Sequence, residues 1–226
     1  MRKYGVFDIL GPIMIGPSSS HTAGAARLGK IAEIIAGPEI TKVEFQLHGS
    51  FAKTYRGHGT DRALTAGILG MDPWDDRLRN SLEIAKEKGI EISFTEADLG
   101  EVHPNTVKFV ITKSDRNVTE VIGSSIGGGN IIITGIDGEP MEFTGEYPTI
   151  IVKHRDVPGA VSHVTALMYH EGINIAFMKV YRSSKGSMAT MVFETDSPAS
   201  YELIDRIHDL GYIKKVRIIN PMVEGE

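Results

Sequence analysis

The sequence predicts an α+β chain of two units: a mixed helix-and-strand unit over residues 1–146, then a βαββαβ, ferredoxin-like unit over residues 148–222. Three observations predict it. Helical i, i+3, i+4, i+7 spacing and short period-two runs alternate through the first part. A Tyr147-Pro148 step interrupts that pattern. Six elements then follow as strand, helix, strand, strand, helix, strand within about 75 residues, the split arrangement of the ferredoxin-like fold.

In the first unit, Leu28, Ile31, Ala32 and Ile35 give residues 22–36 the spacing of an amphipathic helix ending at Gly37-Pro38. Val43, Phe45 and Leu47 alternate through a half-buried strand at 42–48. A short helix is predicted over 60–70, stopped by Gly70 and Asp72-Pro73, and a third is marked by Leu78, Leu82 and Ala85 and closed by Gly89. Strands follow at 90–94, 106–113, 117–122 and 130–136, and Asp137-Gly138 is a tight-turn signal between Ile136 and Met141. In the second unit, strands are predicted at 149–153, 173–182, 187–195 and 213–219, with helices at 159–170 and 198–210. Pro198 is expected in the first turn of its helix.

Composition narrows the function. A hydrophobic share of 41% and a charged share of 23% are those of an ordinary globular chain. A net charge of −5 gives no reason to expect nucleic acid or an anionic membrane as partner. No apolar run approaches the roughly 20 residues of a bilayer span, and the first residues lack the apolar core and cleavage site of a signal peptide. A cytoplasmic protein is the expectation. The absence of cysteine excludes disulfides, zinc ribbons and thiolate ligation of an iron–sulfur cluster by this chain.

Five motifs carry candidate chemistry. Gly16-Pro17-Ser18-Ser19-Ser20-His21-Thr22-Ala23-Gly24 stands before the first helix, where hydroxyls and free N–H groups at the positive end of a helix dipole suit a carboxylate or phosphate. Simple N-capping is the plainer alternative, although it needs only one Ser or Thr. His48-Gly49-Ser50-Phe51-Ala52-Lys53-Thr54 continues into Tyr55-Arg56-Gly57-His58-Gly59-Thr60-Asp61-Arg62, with His58 read as a loop residue between two glycines. Thr60 and Asp61 open a helix, and Asp61 reads equally well as a cap. His103-Pro104-Asn105 opens a strand. His21, His58 and His103 are therefore three candidates for proton transfer near neutral pH.

Gly127, Gly128 and Gly129 form either an anion-binding nest or a sharp connection between strands. The fifth motif, Asp156-Val157-Pro158-Gly159, turns from the first strand of the second unit into its helix. Asn174 suits a polar contact or a turn at the next strand.

Phe7-Asp8-Ile9-Leu10-Gly11-Pro12 and residues 16–22 resemble the opening of the beta domain of bacterial iron–sulfur L-serine dehydratases. His48-Gly49-Ser50, Gly57-His58-Gly59-Thr60-Asp61, His103-Pro104-Asn105 and Ser125-Ile126-Gly127-Gly128-Gly129 continue the likeness over roughly residues 1–145. The remainder resembles an ACT domain, with Asp156-Val157-Pro158-Gly159 as its signature turn. The resemblance implies the separate beta chain of a two-subunit enzyme that converts L-serine to pyruvate and ammonia. Its [4Fe–4S] cluster would be bound by a cysteine-bearing alpha subunit, with no metal held by this chain.

It further implies His58 and His103 as active-site histidines, with His58 the first choice of base. Ser18, Ser19, Ser20, His21 and Thr22, with Thr60 and Asp61, would bind substrate. Asp156, Pro158, Gly159 and Asn174 would form the ligand site of the ACT domain, which would also mediate self-association into an α2β2-like assembly.

Two rivals stand beside this reading. The first unit also resembles the anion-binding intervening domain of some D-3-phosphoglycerate dehydrogenases, which would suit a non-catalytic amino-acid or anion sensor. A metal-free acid–base enzyme using His58 and Asp61 lacks any activator for a poor leaving group.

Overall fold

A computed structural model of the chain describes residues 14, 18–182 and 184–220, so Phe7 to Pro12, Gly16 and Pro17 lie outside the described residues. The chain forms two compact units, residues 1–139 and 140–226.

The first unit is built on a six-stranded mixed sheet of β1 (Ile40–Leu47), β2 (Glu91–Glu96), β3 (Thr106–Lys113), β4 (Val118–Gly127), β5 (Asn130–Ile136) and β6 (Glu139–Phe143). Their order is β2-β1-β3-β4-β5-β6, and β6 carries the chain into the second unit. Strands β1 and β2 pair in parallel; β1–β3, β3–β4 and β4–β5 are antiparallel. The alternation read at 42–48 holds, since Val43, Phe45 and Leu47 are buried. Asp137 and Gly138 both take positive φ, the two-residue hairpin turn expected between β5 and β6.

Helices α1 (Ala25–Ala36), α2 (Gly49–His58), α3 (Thr60–Ile68) and α4 (Ser81–Glu87) complete the unit. Helices α1 and α3 pack backbone to backbone through glycine. A Cβ on Gly29 would stand 2.4 Å from the Leu64 carbonyl, and one on Gly67 would stand 2.1 Å from that of Ala26.

Four expectations in the first unit need correction. The helix expected over 22–36 begins as a π-helical turn, Ser19–Gly24, and becomes α-helical only at Ala25. The residues read as a loop around His58 form α2, which buries only Phe51 and so shows no apolar period. Strand β4 runs five residues past its expected end at Ile122, to Gly127, because Gly123-Ser124-Ser125 lies under a helix and not in a loop. A Cβ on Gly123 would meet Leu28 of α1 at 2.6 Å, so a small residue is required there. The third helix is a 3₁₀ turn, Asp76–Asn80, followed by α4.

The second unit contains β7 (Thr149–Arg155), α5 (Ala160–His170), β8 (Ile175–Arg182), β9 (Met188–Thr195), α6 (Tyr201–His208) and β10 (Ile213–Ile219). This is the predicted βαββαβ order, in one antiparallel sheet ordered β10-β7-β9-β8. Ile150, Val152, Met191 and Phe193 form its core with Val164 and Met168 of α5 and Leu203 and Ile207 of α6. Pro198 precedes α6 instead of lying in its first turn. Ser200 is the N-cap, its hydroxyl accepting from the Leu203 N–H at 3.1 Å.

Candidate active site

Ser18 has extended backbone and caps the π-helical turn, its hydroxyl accepting from the His21 N–H at 3.3 Å. The Thr22 N–H donates to the Ser18 carbonyl at 2.8 Å. An inserted π turn shifts the side-chain phase relative to the helix that follows, a device that recurs at functional sites. Here it buries His21, Thr22, Ala23 and Gly24 and leaves Ser18, Ser19 and Ser20 half-buried.

His21 is the hub of the site. Its Nδ1 lies 3.3 Å from Ser18 Oγ, and its Nε2 lies 3.3 Å from Ser50 Oγ and 3.1 Å from Thr54 Oγ1. Its ring meets Phe51 edge to face at 5.2 Å and His58 at 4.8 Å, with an interplanar angle of 86° to His58. Burial, and secondarily the neighbouring His58, hold the His21 pKa below the usual histidine value and so favour neutral imidazole.

The partners come from α2 by helical geometry. Ser50, Thr54 and His58 are spaced i, i+4, i+8 and share one stripe of that helix. Gly59 ends it in the left-handed conformation, φ 71°, donating its N–H to the Tyr55 carbonyl. His58 is thus the last helical residue, exposed, with the His21 ring as its only specific contact among the described residues.

Thr60 and Asp61 open α3, yet neither caps it through its side chain. The Thr60 hydroxyl is fully buried without a hydrogen-bond partner among the described residues. Asp61 accepts from the Arg62 N–H at 2.9 Å, and burial raises its pKa against the opposing pull of Arg62 and Arg56. The hydroxyls of Thr22 and Ser125 are also buried without a partner among the described residues. Ser125 faces the π turn so closely that a Cβ on Gly24 would stand 2.0 Å from its Oγ.

His103 is exposed near the opposite end of α2. Its Nδ1 accepts from the Asn105 N–H at 3.1 Å, and its carbonyl accepts from Thr106 Oγ1 at 2.6 Å. The Pro104 carbonyl accepts from Ser50 N–H at 2.8 Å and Phe51 N–H at 3.4 Å, so the first turn of α2 is used in holding the His103-Pro104-Asn105 segment.

The structure therefore gathers Ser18, His21 and His58 directly and sets His103 beside the far end of the same helix. Gly127, Gly128 and Gly129 form the β4–β5 connection, with positive φ at each and Arg27 Nη1 donating to the Gly129 carbonyl at 3.2 Å. Ser50, Thr54 and Ser125 each lie within a motif of the sequence but carry no individual expectation there. Polar spacing of four from Ser50 through Thr54 to His58 was the available signal for the first two.

Comparison with known proteins decides the family. The serine dehydratase beta chain family matches residues 5–82, and the ACT domain family matches residues 148–212. Over 204 residues the chain is 45% identical to the L-serine dehydratase beta chain of Peptoniphilus asaccharolyticus, covering 90% of this chain and 92% of that one. The chain belongs to the L-serine dehydratase beta-chain family. It is also 42% identical over 216 residues to the probable L-serine dehydratase beta chain of Bacillus subtilis strain 168, covering 96% of this chain and 98% of that one. A D-3-phosphoglycerate dehydrogenase of Methanocaldococcus jannaschii is 29% identical over 215 residues, 91% of this chain but 39% of that enzyme.

Within this beta-chain family framework, the ACT residues fall at two places. Asp156 accepts from Gly186 N–H at 2.8 Å and pairs with Arg182 at 2.9 Å, which ties the Asp156–Gly159 turn to the β8–β9 connection. Those contacts hold its carboxyl below the usual range. Asn174 donates to Asp196 at 2.6 Å at the other end of β8 and β9. Within one chain, Asn174 and the turn bearing Asp156, Pro158 and Gly159 are separated by the length of a strand, about 20 Å.

An iron–sulfur cluster does not fit this chain. Its 226 residues contain no cysteine, and no group of three or more His, Asp or Glu among the described residues is arranged to hold a metal ion.

Proposed function

We propose that this chain is the beta subunit of a two-chain L-serine dehydratase that converts L-serine to pyruvate and ammonia, inactive by itself. The observation that carries the reading is the exposed His58 ring set edge-on to a buried His21 that is held at both ring nitrogens. A general base needs access to its substrate and a fixed orientation, and this arrangement supplies both. His58 takes the α-proton of L-serine. His103 serves as a second active-site histidine. The polar turn from Ser18 to Thr22, with Thr60 and Asp61, receives the substrate; a carboxylate there meets hydroxyls and the N-terminal end of a helix. The β-hydroxyl leaves and, with the α-proton, is lost as water, a departure for which the partner's cluster would supply the Lewis acid; the resulting enamine, as its imine tautomer, takes up water and releases pyruvate and ammonia.

The [4Fe–4S] cluster belongs to a cysteine-bearing alpha subunit, which meets this chain at the His58 surface. The test is anaerobic co-purification through a tag on this chain, co-expressed with that partner, followed by iron analysis and a pyruvate assay. Iron together with serine-dependent pyruvate in the complex, both absent from the isolated chain, is the expected outcome. A complex that binds serine but makes no pyruvate would favour a second reading, a regulatory amino-acid or anion sensor. The likeness to a D-3-phosphoglycerate dehydrogenase supports that second reading.

The ACT unit is assigned self-association. Its edge strand β8 exposes Phe177, Met178 and Val180. A two-fold pairing along β8 sets antiparallel strands side by side and brings Asn174 of one copy toward the Asp156–Gly159 end of the other. That would complete a small-ligand site that one chain leaves divided.

A further inference from the structure

Hydrogen-bond arithmetic around His21 fixes which ring nitrogen carries the proton. Thr54 Oγ1 has one proton, and it donates that proton to the Ser50 carbonyl at 2.7 Å, an oxygen that can only accept. Toward His21 Nε2, 3.1 Å away, the Thr54 hydroxyl is then an acceptor, so Nε2 is the protonated nitrogen. A neutral imidazole has one N–H, and burial of His21 favours the neutral form. Nδ1 is therefore a lone-pair acceptor, and the hydroxyl 3.3 Å from it, Ser18 Oγ, donates to it. Ser18 is free to do so because its oxygen already accepts from the His21 N–H. Ser50 Oγ, 3.3 Å from the protonated Nε2, is a second acceptor and keeps its own proton.

We infer that Thr54 is a positioning residue that locks His21 as its Nε2–H tautomer. The lock commits the Ser18 proton to His21, so that Ser18 shapes the substrate-binding turn as its cap and not as a hydroxyl donor, and leaves Ser50, half-buried on the same stripe of α2 as His58, as the hydroxyl free to donate to a substrate carboxylate. This deepens the proposed function, on which its catalytic part rests; the tautomer itself does not depend on it. Thr54 touches no reacting atom. It acts through His21, whose ring the His58 ring meets edge-on, and a third group that orients a base or its neighbour is a recurring feature of acid–base sites.

The test has a spectroscopic arm and a kinetic arm. In the full chain labelled with ¹⁵N-histidine, the ring-nitrogen correlation pattern of His21, assigned by comparison with His21→Gln, should show Nε2 protonated near neutral pH. Thr54→Val removes the acceptor while keeping the shape, and leaves Ser50 able to donate or accept; the Nε2–H pattern should weaken or mix. Thr54→Ser should restore it. Ser50→Ala keeps Thr54 and should leave the pattern unchanged.

In the complex with the alpha subunit, Thr54→Val should lower kcat about tenfold or more with little change in KM, and Thr54→Ser should recover most of it. Ser50→Ala should instead raise KM for L-serine about tenfold, the loss of one hydrogen bond to a charged group. A proton on Nδ1 in the unaltered chain overturns the inference whatever the complex does. Unchanged kcat in Thr54→Val overturns the positioning role, and unchanged KM in Ser50→Ala overturns the donor role. If the tautomer is as stated and no complex makes pyruvate, the proposed function fails while the tautomer assignment stands.

Discussion

In the proposed function His58 owes its use as a base to its neighbours. A histidine at an exposed helix end ordinarily samples several rotamers, whereas here its ring packs 4.8 Å from the buried His21 ring. Replacing His58 by Ala in the assembled enzyme should lower kcat by roughly 10²–10⁴, the range for loss of a positioned base. His103→Ala should also lower turnover steeply, and both variants should retain normal iron content and subunit association. Near-normal turnover in either would remove that histidine from the mechanism. His21 gives a separate, stability-linked signal. Its folded-state pKa lies below the reference value of 6.5, so the folded chain binds fewer protons there than the unfolded chain. Its contribution is complete above pH 6.5 and declines as pH falls below that value toward the depressed folded pKa. Thermal unfolding of the full chain should therefore drop in Tm through mildly acid pH, and His21→Gln should flatten that slope; an identical slope in the variant would assign it to other groups. At this scale His21 and His58 were legible because each lies in a dense run of Gly, Ser and Thr. Ser50 and Thr54 were not, because their role depends on a helix whose existence the sequence hid.

That helix shows why some elements escape a reading by periodicity. Helix α2 contains Gly49, Ser50, Thr54 and Gly57, all poor or indifferent helix formers, and buries a single side chain, Phe51. Tertiary anchoring does the work instead, through the Pro104 carbonyl at its start and Gly59 at its end. Strand β4 fails in the opposite way. Gly123, Ser124 and Ser125 look like a turn, yet they pair with Ile133, Ile132 and Ile131 of β5 because the helical layer above admits nothing larger. Strand β1, with its clear alternation, and β3 and β5, rich in β-branched residues, were read almost to the residue. Close helix packing supplies a test at this scale. A Cβ on Gly67 would meet three backbone atoms, the Ala26 carbonyl at 2.1 Å, the Lys30 nitrogen at 2.6 Å and the Gly29 Cα at 2.7 Å, and none can swing aside as a side chain would. Gly67→Ala should destabilise the chain by about 1–3 kcal/mol, seen as a lower midpoint in denaturant unfolding at an unchanged m-value. A midpoint equal to that of the unaltered chain would mean that α1 and α3 have room to separate.

At the scale of the whole molecule, the proposed function assigns chemistry to the first unit and assembly to the second. The first gathers its polar residues where the π turn, α2, α3 and β4 converge; the second has a complete core of its own and two edge strands, β10 and β8, of which β8 exposes large apolar side chains. Its βαββαβ order was fully legible, because each element has a regular period and the connections carry Gly, Pro or Ser. The separation of Asp156 from Asn174 was not, since it follows from the direction of β8 and not from any local pattern. An edge strand with Phe177, Met178 and Val180 exposed has unpaired backbone groups and apolar area together, the combination that favours pairing with another strand. Val180 is the position to alter, since it lies 45% exposed at the edge of its sheet, opposite Met191 and outside the buried core cluster. Val180→Asp places two like charges near a two-fold axis in a β8-paired dimer and should shift the sedimentation profile of the full chain toward the monomer. Circular dichroism and Tm measured at low concentration should change little, because the substitution acts on association and not on the fold. An unchanged sedimentation profile would place self-association elsewhere, and the Asp156 turn and Asn174 would then have no route to a shared ligand.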